Sequence, residues 1–168
     1  MNPPGLQIST PTDTTIVLIR TFHAPRHLVW AAMTEPDMMR RWMLAPPGWT
    51  LTVCECEARV GGALSLAWKC GDADPFMTLQ GVFTEVVPPG RMVHTEKMAL
   101  GSGQIVGSQL ETHEFSEAGG VTTMRITQAY RSKEDRDGAI ASGMDQGMEA
   151  GFKQLDALVA QTKRRDGT

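Results

Sequence analysis

Aromatic side chains are scarce in this chain: one tyrosine, five phenylalanines and four tryptophans in 168 residues. Its core must lean on aliphatic residues and on eleven methionines, whose flexible thioethers either fill irregular gaps or line adaptable apolar pockets. Cysteine is scarcer still. Cys54 and Cys56 lie two apart on one predicted strand and Cys70 is distant, a poor disulfide framework and a weak metal signal. All three are expected as reduced thiols of a cytoplasmic protein. No uninterrupted apolar stretch approaches a membrane span. MNPPGLQISTPTDTT has neither the positive start nor the apolar centre of a signal peptide, and reads as a flexible leader over 1–13. A net charge of -3 and a pI near 5.8 offer no footprint for nucleic acid. The one basic run, Lys163 to Arg165, reads as a solvated tail over 163–168. Nucleophile elbow, phosphate loop, H-E-x-x-H and dinucleotide fingerprint are all missing.

What remains is the composition of an ordinary globular domain, 41% apolar and 21% charged, expected to span 14–162. TTIVLIRTF is a β-branched first strand. Pro25 and Pro36 each suit the first position of a helix, predicting two short helices that end near Met33 and Met43. Pro46-Pro47-Gly48 then forces a turn. Six strand-like runs follow, Thr50–Arg59, Ala63–Cys70, Met77–Val87, Arg91–Met98, Ile105–Phe115 and Val121–Tyr130. The turns between them, among them Gly61-Gly62, Gly71–Pro75 and Gly101–Gly103, are short enough to imply antiparallel neighbours. Alternation in Leu64/Leu66/Trp68 and Met124/Ile126 gives the sheet one apolar face. From Ser132 onward a single long helix is predicted, with Ile140, Met144, Met148, Phe152, Leu155 and Val159 as its apolar stripe. The fold class is therefore α+β: a curved antiparallel sheet of about seven strands wrapped on a long C-terminal helix, with the two short helices closing the cup.

Four stretches, RTFHAPRHLVWAAMTEPDMMRRW, ECEARVGGAL, GVFTEVVPPGRMVHTE and SGMDQGMEAGFKQLDALV, occur in an order that resembles the START-like superfamily with the helix-grip fold, also called SRPBCC. More closely, the chain is similar to the bacterial proteins named for homology to the activator of the heat-shock protein 90 ATPase. Where that family usually has an aspartate before the double glycine, this chain has Glu57. The resemblance implies a deep cavity between sheet and long helix that holds an apolar ligand. It does not imply one reaction, since members include lipid carriers, polyketide cyclases and aromatases, and stress-related proteins.

On the residues themselves, Trp42, Leu66, Trp68, Phe83, Met124, Met144, Met148 and Phe152 are the expected walls of such a cavity. Gly143, Gly147 and Gly151 form a side-chain-free stripe costing roughly 3 kcal/mol in a helix interior. They permit either close approach of helix to sheet or room for a ligand. Met38, Met39 and Met43 cannot all face one way, so some are expected at an entrance or a partner surface. His94 and Glu96 alternate on one strand and Glu111 and His113 on the next. One register clusters all four as a polar ligand end or an acid–base set; a slip by one residue separates them. The solvated arrangement is the expected one. None has a recognised ligand spacing, so no metal or other cofactor is expected. The leading expectation is binding of a hydrophobic or aromatic small molecule. Catalysis of cyclase or aromatase type by the four polar residues, and a co-chaperone-like interaction role, are the alternatives, and the sequence does not decide whether the protein is an enzyme. A homodimer through an edge strand or the methionine patch also stays open.

Overall fold

The computed structural model describes residues 5–43, 48–72 and 77–167. The turns expected at Pro46-Pro47 and around Pro75 lie outside them. β2 (Thr15–Phe22) buries Ile16, Leu18 and Phe22 on one face, as its alternation requires. α1 (Arg26–Thr34) and α2 (Pro36–Trp42) follow, with Pro25 extended before α1 and Pro36 at the start of α2. Then come β3 (Trp49–Cys56), β4 (Ala63–Cys70), β5 (Met77–Val87), β6 (Arg91–Leu100), β7 (Ile105–Ala118) and β8 (Val121–Ala129). Two helices close the chain, α3 (Lys133–Ala141) and α4 (Met144–Asp166).

The sheet is antiparallel throughout, in the order β1-β2-β8-β7-β6-β5-β4-β3. β3 to β8 form the predicted meander, and β2 joins its far side through β8. β1 (Gln7–Ser9) is an eighth strand within the stretch read as a leader: Ile8 pairs with Leu18, and the Leu6 amide donates to Glu149 Oε2 at 3.1 Å. Register shifts at Leu51/Val53 on β3, at Phe83/Glu85 on β5 and opposite Met98/Ala99, where β7 carries the extra residue Val106, bend those three strands. Gly81 sits beside the second of these, and a Cβ there would overlap the Thr95 carbonyl oxygen.

The single C-terminal helix of the sequence reading is two. Gly143 has φ +77°, a conformation that ends α3 and starts α4 on a new axis. Lys163 to Arg165, expected as a tail, form the last turn of α4, where Lys163 Nζ donates to the His23 carbonyl at 3.0 Å.

The core lies between the inner face of the sheet and α1, α2 and α4. Trp30 meets Phe115 edge-on at 5.5 Å, and Trp42 lies 5.8 Å from Phe152. Trp42 Nε1 donates to the Ala32 carbonyl at 2.7 Å, which ties the two short helices together. A Cβ on Gly151 would touch the Trp42 ring at 3.6 Å. Gly151 thus faces α2 rather than the sheet.

Candidate functional site

His94 on β6 pairs directly with Glu111 on β7, and Glu111 pairs with Gln128 on β8. Strand side chains repeat every two residues, so Glu96 and His113 share the face of His94 and Glu111. That face is the inner one, because Phe83 pairs with His94 and Ile126 with His113, and both are core residues. The expectation of solvated strand residues is overturned: the register is the one that clusters them. His94, Glu111, His113 and Gln128 are each no more than 5% exposed, and the Glu96 side chain is 12% exposed.

Hydrogen bonds organise the cluster around Glu111. Gln128 Nε2 donates to its Oε1 at 2.6 Å, and His113 Nε2 donates to its Oε2 at 2.9 Å. Tyr130 Oη donates to Gln128 Oε1 at 3.0 Å, and Gln109 Nε2 to Glu96 Oε2 at 3.1 Å. The His94 and His113 rings are 5.3 Å apart, flanked by Phe83 at 5.2 Å from His94 and Phe115 at 6.3 Å from His113. His113 Nδ1 is buried without a hydrogen-bond partner among the described residues.

Electrostatics split the two carboxyls. Burial alone would raise Glu111, but the His113 bond, the neighbouring imidazoles and the Gln128 amide outweigh it and hold Glu111 ionised, well below the usual range. Glu96 goes the other way: burial, then the charge of Glu111 and a hydrogen bond to it, push its carboxyl well above the usual range. Burial, reinforced by His113, takes His94 down to about 4 against the pull of Glu111. Burial also raises the Tyr130 phenol, with help from Glu111 and Glu96. At neutral pH the site thus holds an ionised Glu111 and a neutral His94 imidazole beside a Glu96 carboxyl whose proton is held more tightly than usual. This can orient a polar ligand end or move a proton.

Of the expected wall residues, Trp42, Leu66, Phe83, Met124 and Phe152 are buried in the core, while Trp68, Met144 and Met148 are half-buried against it. Gly147 is exposed, and a Cβ there would meet nothing within 4 Å. Met39 is buried, whereas Met38 and Met43 are half-buried. Gln128, Gln109 and Tyr130 were missed by sequence reasoning, although Gln128 continues the Met124/Ile126 alternation and so belonged to the inner face. Arg20 was missed too. It is 3% exposed, and it forks onto Glu149 at 3.0 Å and Asp156 at 2.7 Å.

Several solved structures share this architecture. A protein of Rhodobacter sphaeroides is 29% identical, with a TM-score of 0.82, covering 93% of this chain and 98% of that one. One from Chromobacterium violaceum is 26% identical at a TM-score of 0.68, with 86% and 96% covered. Another from Mycobacterium smegmatis is 21% identical at 0.79, with 93% and 97% covered, a likeness of fold alone. No match was found among curated proteins. The family profile described as Activator of Hsp90 ATPase homolog 1-like protein matches residues 23–160, and the chain belongs to that family.

Proposed function

We propose that the domain binds a hydrophobic or aromatic small molecule between the sheet and α4, with the molecule's polar end on the His94, Glu96, Glu111 and His113 cluster. The observation that carries this reading is the burial of that cluster on the inner face. An apolar core gains nothing from four ionisable side chains, which are costly to bury, and a domain retains such a patch where something uses it. The half-buried Trp68, Met144 and Met148 and the open Gly147 suit the rim of an entrance, with Trp42 deeper beneath α4. The three free cysteines agree with a reducing, cytoplasmic setting.

Native mass spectrometry of gently purified protein, repeated after denaturation, tests the reading. A discrete mass excess that disappears on denaturation supports it. A bare mass together with no saturable uptake of anilinonaphthalene sulfonate counts against it and favours a protein partner. Gly147→Leu should block uptake while leaving the fold intact.

A second reading is favoured by one observation: two carboxyls pushed in opposite directions, Glu96 up and Glu111 down, share the inner face with two imidazoles. On that reading the cluster performs acid–base chemistry of cyclase or aromatase type on the bound molecule. Replacing both His94 and His113 would then abolish turnover of a recovered ligand while its binding survives.

A further inference from the structure

His113 Nε2 and Glu111 Oε2 stand 2.9 Å apart. That is close to the separation of two neighbouring ligands on one tetrahedral ion with bonds of roughly 2.1 Å, which is about 3.4 Å. One donor atom each from His94, Glu111 and His113 all lie within 4.8 Å of one another, the one such group among the described residues.

Two further features suit a cation. The Glu111 carboxylate is fixed from outside the group by Gln128, which Tyr130 in turn orients. This is the outer-shell support that metal-binding carboxylates and histidines have. His113 Nδ1 has no partner among the described residues, so nothing but Glu111 holds the imidazole proton on Nε2. The buried Nδ1 lone pair thus has nothing to accept from, an acceptor that a cation would satisfy.

We propose that His94, Glu111 and His113 bind one divalent transition-metal ion, through one imidazole nitrogen each from the histidines and a carboxylate oxygen from Glu111. Two imidazoles and one carboxylate select zinc, cobalt, iron or nickel over calcium and magnesium, which prefer all-oxygen sites. Three protein ligands leave a position for water or for the polar end of a bound molecule. The inference rests on the reading of this cluster as a functional site, but not on any organic ligand being present.

The test is a titration of the untagged full chain with Co2+ and no organic ligand, followed by ligand-field absorption and then by Zn2+ competition. One Co2+ per chain, displaced by Zn2+, is expected. Glu111→Gln keeps the side-chain shape, and His94→Ala removes an imidazole. Each should weaken Co2+ by at least about 100-fold, the upper end of what loss of an outer-shell partner costs. The exposed His23→Ala and His27→Ala should leave binding unchanged. Absence of saturable absorption, or bands that persist in Glu111→Gln with its circular dichroism intact, overturns the proposal. If His94→Ala does not fold, Glu111→Gln decides. An organic mass excess in protein that takes no Co2+ would remove the metal and leave the ligand reading standing.

Discussion

Gln128 and Glu111 face each other across β8 and β7, and the amide of the first grips the carboxylate of the second at 2.6 Å. Glu111 is the hub, because its other oxygen takes the His113 proton. Removing it strands two buried donors. Glu111→Leu is therefore expected to lower stability in urea by about 2–3 kcal/mol, an unsatisfied buried donor costing about 1–3. Gln128→Leu alone should cost about 1–2 kcal/mol. The double variant removes one stranded partner along with its acceptor, so its loss should fall short of the sum by more than about 0.5 kcal/mol. Strict additivity would mean that the two side chains do not act as a unit.

Arg20 ties β2 to α4 through Glu149 and Asp156, and the Leu6 amide adds β1 to the same carboxylate. Its guanidinium lies 5.0 Å from the Phe22 ring centroid. Arg20→Met keeps most of the aliphatic volume and leaves both carboxylates, 22% and 35% exposed, without their cation. Breaking a fully buried pair costs about 3–5 kcal/mol; solvent at these carboxylates reduces the expected loss to about 2–3 kcal/mol. Chemical denaturation measures it. Amide exchange at Gln7–Ser9 should also rise in the variant, since the Glu149 carboxylate that accepts from Leu6 is no longer held in place by Arg20.

The meander was legible because each strand carries period-two alternation and each turn its own chemistry, as in Leu64/Leu66/Trp68 before Gly71. Pro25 and Pro36 marked the starts of the short helices for an equally local reason. The site was not legible, because it depends on register. His94 and Glu111 meet only if the hairpin between them has one particular offset, and a shift by one residue would have put them on opposite faces. Arg20 shares the inward face of Ile16, Leu18 and Phe22, but nothing local in the sequence names its two partners, which lie about 130 residues away on another element. The break at Gly143 was hidden inside a helical apolar pattern that continues on both sides of it.

That break and the next glycine give opposite expectations for the same substitution. Gly143→Ala must hold an alanine at φ +77°, which costs about 1–2 kcal/mol. Gly147 lies in the interior of α4 with open space around its Cα, so Gly147→Ala should stabilise the protein by about 1 kcal/mol. Urea midpoints of the two variants against the parent chain check both signs. A destabilised Gly147→Ala would show that α4 is pressed against something at that point.

The thiols of β3 provide a pH-dependent probe of the same packing. Burial, and then the neighbouring Cys54, push Cys56 up to about 11. Burial also raises Cys54, partly opposed by Arg40. Alkylation requires thiolate, so at pH 8 only about one Cys56 in a thousand is reactive. Its iodoacetamide labelling, followed by peptide mass spectrometry, should be about 100-fold slower than in the urea-unfolded chain. The rate should climb about tenfold per pH unit between 8 and 10. Arg40→Met should slow Cys54 as well, because it removes the one charge that favours that thiolate. Folded and unfolded chains labelling Cys56 at equal rates would mean that β3, an edge strand, opens faster than the reagent attacks.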